Sequence, residues 1–124
     1  MTNTAWAHLP NAKHIDAVLA DARKRPGAWD AARTAARTAA QRAAWDAART
    51  AARDAAWGAA GGAAWDAAWD AAWDAIAALI AWDSTADLLE CTPDVLRAMI
   101  DLAEPPVCHQ AALLLPSAIV RFGQ

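Results

Sequence analysis

At 124 residues with a formal net charge of −3, the chain is the size of one domain and too short for two independent hydrophobic cores. It is 57% hydrophobic, but alanine supplies most of that, so large side chains, above all the eight tryptophans, must provide the buried area. No apolar run approaches the ~20 residues of a bilayer-spanning helix, and Met1 to Pro10 shows no basic stretch followed by an apolar one, so the expectation is a cytoplasmic protein without a membrane partner.

The charge is divided. Residues 1–53 carry nine Lys/Arg against four Asp, whereas residues 54–124 carry two Arg against ten Asp/Glu. Because both halves read as helical, mutual pairing explains the division more simply than a nucleic-acid arm or an acidic tail.

In chain order, Asn11 can cap a helix from Ala12 to about Lys24, in which Ile15, Val18, Leu19 and Ala22 recur at i, i+3, i+4 and i+7 before Pro26-Gly27 ends it. From Trp29 to Ile76 the chain reads as twelve X-Y-Ala-Ala tetrads, with both alanine slots filled without exception from Ala31 to Ala72. Trp, Arg, Gln and Gly occupy X; Asp, Thr, Arg and Gly occupy Y. Alanine has the best helix propensity and residues four apart are neighbours, so the repeat is expected to be helical with its X side chains stacked. A period of four overshoots the 3.6-residue turn by about 40° per tetrad, so the stripe winds off any single partner and the run should break or wrap. Gly58, Gly61 and Gly62 mark the expected break, each costing a helix interior about 1 kcal/mol relative to Ala. A hairpin turn near 58–62 would bring Arg53 to Asp66, Arg49 to Asp70 and Arg37 to Asp83; the alternative is one unbroken helix.

Beyond the repeat, Ile76, Leu79, Ile80 and Trp82 continue the apolar face, and Ser84-Thr85-Ala86-Asp87 reads as a capping box opening a short helix through Glu90. Thr92-Pro93-Asp94 opens another helix, to Ala103. Val107 to Phe122 is a last apolar helix that Pro116 should kink or split. The expected fold is therefore all-α. It is an Ala-rich antiparallel helical hairpin packed with short terminal helices, in a single domain comprising an N-terminal helix (1–27), a repeat region (28–83) and a C-terminal helical cap (84–124).

Trp65, Trp69 and Trp73 form an i, i+4, i+8 column; at ~200 Å² each the set would contribute on the order of 15 kcal/mol gross if buried. With Asp66, Asp70 and Asp74 alongside, this stripe is either core, inserted between facing alanines, or a surface for a partner.

Little in the chain suggests reaction chemistry. His8, His14, His109, Cys91 and Cys108 have no metal-ligand spacing, and the two cysteines are expected to be buried thiols. Ser84 and Ser117 lie outside any nucleophile motif, and the clustered glycines follow no strand. The expectation is a non-enzymatic protein with no cofactor and no metal. The basic half, with tryptophans interleaved, suits phosphates and bases, so Arg33, Arg37, Trp45, Arg49, Arg53 and Trp57 are candidate ligand-binding residues. Against that, the same arginines can serve intramolecular pairs.

The tetrads Trp45-Asp46-Ala47-Ala48 and Trp65 to Ala72, the lead-in Ala7 to Ile15, and Ala78 to Asp83 with Leu113 to Pro116 resemble a group of small, uncharacterised tailed-phage proteins. The resemblance covers most of the chain and implies a phage accessory protein made in the bacterial cytoplasm; it transfers no functional residue. The leading expectation is a counter-defence protein that sequesters a small nucleotide-type signal. The alternatives are an inhibitor of a host protein acting through the acidic Trp-rich half, and a structural homo-oligomer.

Overall fold

The computed structural model describes residues 6–68 and 72–123, leaving aside the side chains of residues 60–68. It is all-α, packed from short and long helices, with no strand among the described residues. The helices are α1 (Ala12–Lys24), α2 (Pro26–Ala40), α3 (Arg42–Ala68), α4 (Trp73–Ala81), α5 (Thr85–Leu88), α6 (Pro93–Leu102) and α7 (Val107–Phe122).

Two helices form the centre. Gln110 to Ala118 of α7 are all buried, as are Trp73 to Ile80 of α4, the all-round burial that a helix shows only when neighbours cover it on every side. α7 packs on α2, α3, α4, α5 and α6, while α4 packs on α1, α3, α5 and α7. Pro116 does not split α7. It lies buried inside a continuous helix, where dense packing outweighs the hydrogen bond its missing N–H forgoes.

The repeat breaks, but not at its glycines. α3 runs through Gly58, Gly61 and Gly62, so the hairpin turn expected near 58–62 is absent, and a Cβ added at Gly58 would meet no atom within 4 Å. One interruption falls instead at Gln41, between α2 and α3, and another at Ala72, the residue that precedes α4. Gln41 has φ 61° and ψ 148°, the one positive φ of a non-glycine residue among those described. What decides the position is burial. Trp29, Ala32, Ala36 and Ala40 are buried in α2, and Trp45, Ala48, Ala52 and Ala56 in α3, the same pattern displaced by sixteen residues. Restarting the helix at Arg42 resets the winding stripe, so that each segment begins with a buried tryptophan followed by alanines against its neighbours. A single glycine in a helix costs little enough for tertiary packing to override it.

Two caps differ from expectation. Asn11 makes no side-chain cap on α1; its Nδ2 donates to the carbonyls of Leu79 and Trp82, each at 2.8 Å. The reason is that the Leu79 carbonyl, in the last turn of α4, lacks a helical partner in a buried place, and Asn11, 3% exposed, supplies a donor. Ser84 likewise makes no capping bond; Thr85, fully buried, donates instead to the carbonyls of Trp82 (2.7 Å) and Ala78 (3.3 Å). α5 is correspondingly short. Thr92 caps α6 as expected, accepting from the Val95 N–H with Pro93 in the first turn. Pro26 begins α2 as well as following α1, and Cys91 and Cys108 are half-buried free thiols.

Candidate functional site

The repeat brings two of its candidate ligand residues to one carboxylate. Asp74 stands in the first turn of α4, with its side chain 2% exposed. Arg49 of α3 places Nε 2.7 Å from its Oδ1, and Arg33 of α2 places Nη2 3.3 Å from its Oδ2. The positive end of the α4 dipole favours a carboxylate at this position. Trp29, Ala72, Ala75 and Pro116 surround the pair, so the charges meet in a largely apolar setting. The basic and acidic halves therefore do pair, though at Asp74. Asp66 and Asp70 lie outside the described residues' side chains, and Arg37 and Asp83 are exposed with no ion pair among the described residues.

The other repeat residues divide. Trp45 is fully buried, and its indole N–H has no acceptor among the described residues. Such a group is core rather than a platform for a ligand, which corrects its assignment to the binding set. Arg37 and Arg53 are exposed, and Trp57 is 55% exposed. In the tryptophan stripe Trp73 is buried, taking the core role. Trp65, Trp69, Asp66 and Asp70 lie outside the described side chains.

A groove outside the repeat's main run has a different character. At the elbow between α1 and α2, Asp21 accepts hydrogen bonds from Arg25 Nε (3.0 Å) and Nη2 (2.6 Å) through Oδ1, and from Trp29 Nε1 (2.8 Å) through Oδ2. This one carboxylate fixes a guanidinium and an indole across the break at Arg25. Facing it, Arg121 of α7 donates from Nη1 to the Leu89 carbonyl at 3.1 Å and lies 3.5 Å from Glu90. Between them is an opening of about 350 Å³ with Val18, Trp29 and Leu89 in its lining and His14 and Ser117 beside the two arginines. Ser117, 9% exposed, lines the same opening. The arginine side chains are about half exposed, 48% for Arg25 and 51% for Arg121, so each retains donors for a ligand.

The groove thus offers two guanidinium groups, paired with Asp21 and Glu90 but each about half exposed, with His14 and Ser117 in the lining over an apolar floor. That combination suits an anion with an apolar or aromatic body, and the volume lies within the ~300–1,000 Å³ of small-molecule sites. In the sequence Arg25 and Trp29 belong to the basic, tryptophan-interleaved half without standing out from it. The i, i+4 spacing of Asp21 and Arg25 was a visible signal; the approach of Ser117 and Arg121 from the far end of the chain was not. Among the described residues no three His, Cys, Asp or Glu side chains gather so as to hold a metal, and no helix is long and apolar enough to cross a membrane.

Compared with protein-family models, curated proteins and solved structures, the chain matches none.

Proposed function

We propose that the chain is a non-enzymatic helical binding protein that sequesters a small nucleotide-type anion, in the accessory phage role to which its sequence resemblance points. The observation that carries this reading is the groove between α1, α2 and α7, where the half-exposed guanidinium groups of Arg25 and Arg121 flank an apolar floor and Ser117 lines the opening. Guanidinium forks bind phosphate and carboxylate oxygens with geometry as well as charge. The site so moves from the repeat to its flank, since Asp74 already holds Arg33 and Arg49 and the core holds Trp45.

Native mass spectrometry of the gently purified chain, followed by calorimetric titration with a panel of mononucleotides, cyclic nucleotides and inorganic phosphate, tests the proposal. A retained nucleotide-sized mass, and a titrating nucleotide whose affinity falls at least about tenfold in Arg25→Ala/Arg121→Ala with unchanged circular dichroism, is the expected result. Binding indifferent to that double substitution, or no binding to any member of the panel, refutes it.

A further inference from the structure

α6 carries two apolar faces where a peripheral helix needs one. Leu96, fully buried, and the half-buried Ile100 point to the core. Val95, Ala98, Met99 and Leu102 recur at i, i+3, i+4 and i+7 and, with Ala103, line a shallow open groove of about 420 Å³. Leu102 is 83% exposed, more than any other large apolar side chain described, and Val95 is 45% exposed. Nothing in the fold requires this second stripe: α6 already has its inward face and its Thr92 cap. A spaced apolar ridge of this kind is the pattern by which a groove receives an amphipathic helix.

The surrounding charge selects the occupant. Asp94 and Asp101 are exposed, seven residues apart, and fall on the same flank of the ridge at helical spacing. Between Asp83 and Glu104 the chain carries six acidic residues against the single basic Arg97, which pairs with Asp94 at 3.3 Å. Two copies of the chain meeting through this face would set Asp94 and Asp101 against their own counterparts, a like-charge opposition. We propose that the outer face of α6 docks a basic amphipathic helix of a partner protein, its apolar residues over Val95, Met99 and Leu102 and its Lys or Arg side chains along Asp94 and Asp101. This surface is separate from the groove between α1, α2 and α7, so the two proposals stand or fall independently.

The test uses the full chain and two fluorescent synthetic helices of about five turns, with identical leucine positions but Lys in one and Glu in the other. The Leu–Lys helix is expected to bind saturably, with the Leu–Glu helix at least about tenfold weaker. Leu102→Lys, a change at an exposed position that leaves the core untouched, should weaken the Leu–Lys helix at least about tenfold, and Asp94→Lys/Asp101→Lys should reverse the preference between the two probes. Arg25→Ala/Arg121→Ala should change neither affinity. Equal binding of the two probes, or a Leu–Lys affinity unaffected by Leu102→Lys, overturns the proposal. So does a dimer in sedimentation that Leu102→Lys dissociates, since the occupant would then be a second copy.

Discussion

The ion pair at Asp74 makes a stability prediction that separates an enforced charge site from an incidental one. Substituting methionine for Arg33 or Arg49 keeps the apolar stem and removes the guanidinium. Each arginine side chain is exposed by 26% or 31%, so solvent screens it, and with the other guanidinium left in place each single change should cost no more than about 1 kcal/mol. Removing both is a different perturbation, because it leaves a carboxylate that is 2% exposed with no cation beside it. Stranding a buried charge typically costs about 3–5 kcal/mol, a large share of the ~5–15 kcal/mol that holds a domain of this size together. The double variant should therefore lose at least about 1 kcal/mol more than the two single variants combined. Adding Asp74→Leu should recover most of that loss, since replacing a whole buried ion cluster with apolar groups of similar volume is often neutral. Urea denaturation followed by far-ultraviolet circular dichroism, with the slope held common across variants, measures all of these. Strict additivity of the two arginine changes, with no recovery in the triple variant, would refute the claim that Asp74 depends on its partners.

Two further outcomes follow from the breaks and caps. Asn11→Ala leaves the Leu79 carbonyl without its side-chain donor, while the Trp82 carbonyl keeps Thr85, and should cost about 1–3 kcal/mol in urea denaturation; an N-cap role on α1 would be largely restored by Asn11→Asp, which cannot donate and should here be no better than alanine. Gln41→Gly relieves the positive φ at the α2–α3 break and should raise stability by about 1 kcal/mol, seen as a Tm higher by a few degrees; an unchanged or lowered Tm would show that the backbone there is not strained.

Helix content was legible because alanine at every third and fourth position of a tetrad leaves few competing conformations, and because Thr92-Pro93 and the i, i+3, i+4 pattern of α1 are local signals. The place of the break was not. Three glycines carry a visible local penalty, but the burial of Trp45 and its alanines outweighs it, and burial depends on where α4 and α7 lie. Asn11 illustrates the same limit: its position before an amphipathic helix is the signature of a cap, yet its donors serve carbonyls 68 and 71 residues away. Charge division correctly indicated that the halves pair, while the partner chosen, Asp74, follows from the register of helices whose turns were misplaced. The groove was the least visible element, since Asp21, Leu89 and Arg121 belong to three separate stretches that only the packing of α7 assembles.

The sixteen-residue offset between the two repeat helices shows how copies of one sequence acquire different roles. Residues 29–40 and 45–56 differ only at Thr38 and Asp54, so intrinsic propensity cannot distinguish them. Arg33 and Arg49 are equivalent positions and take equivalent roles, approaching the same carboxylate from two helices. Arg37 and Arg53 are equivalent too, and both stay exposed. The tryptophans part company: the Trp29 indole N–H donates to Asp21, whereas that of Trp45 finds no acceptor among the described residues. The difference comes from the neighbour. Trp29 follows α1 closely enough for Asp21, eight residues before it, to reach it and thereby enters the lining of the groove, while the residue eight before Trp45 is Arg37, in another copy of the repeat. The binding site proposed for this chain accordingly lies where the repeat meets its flanks, and the interior of the repeat supplies the scaffold that holds those flanks together.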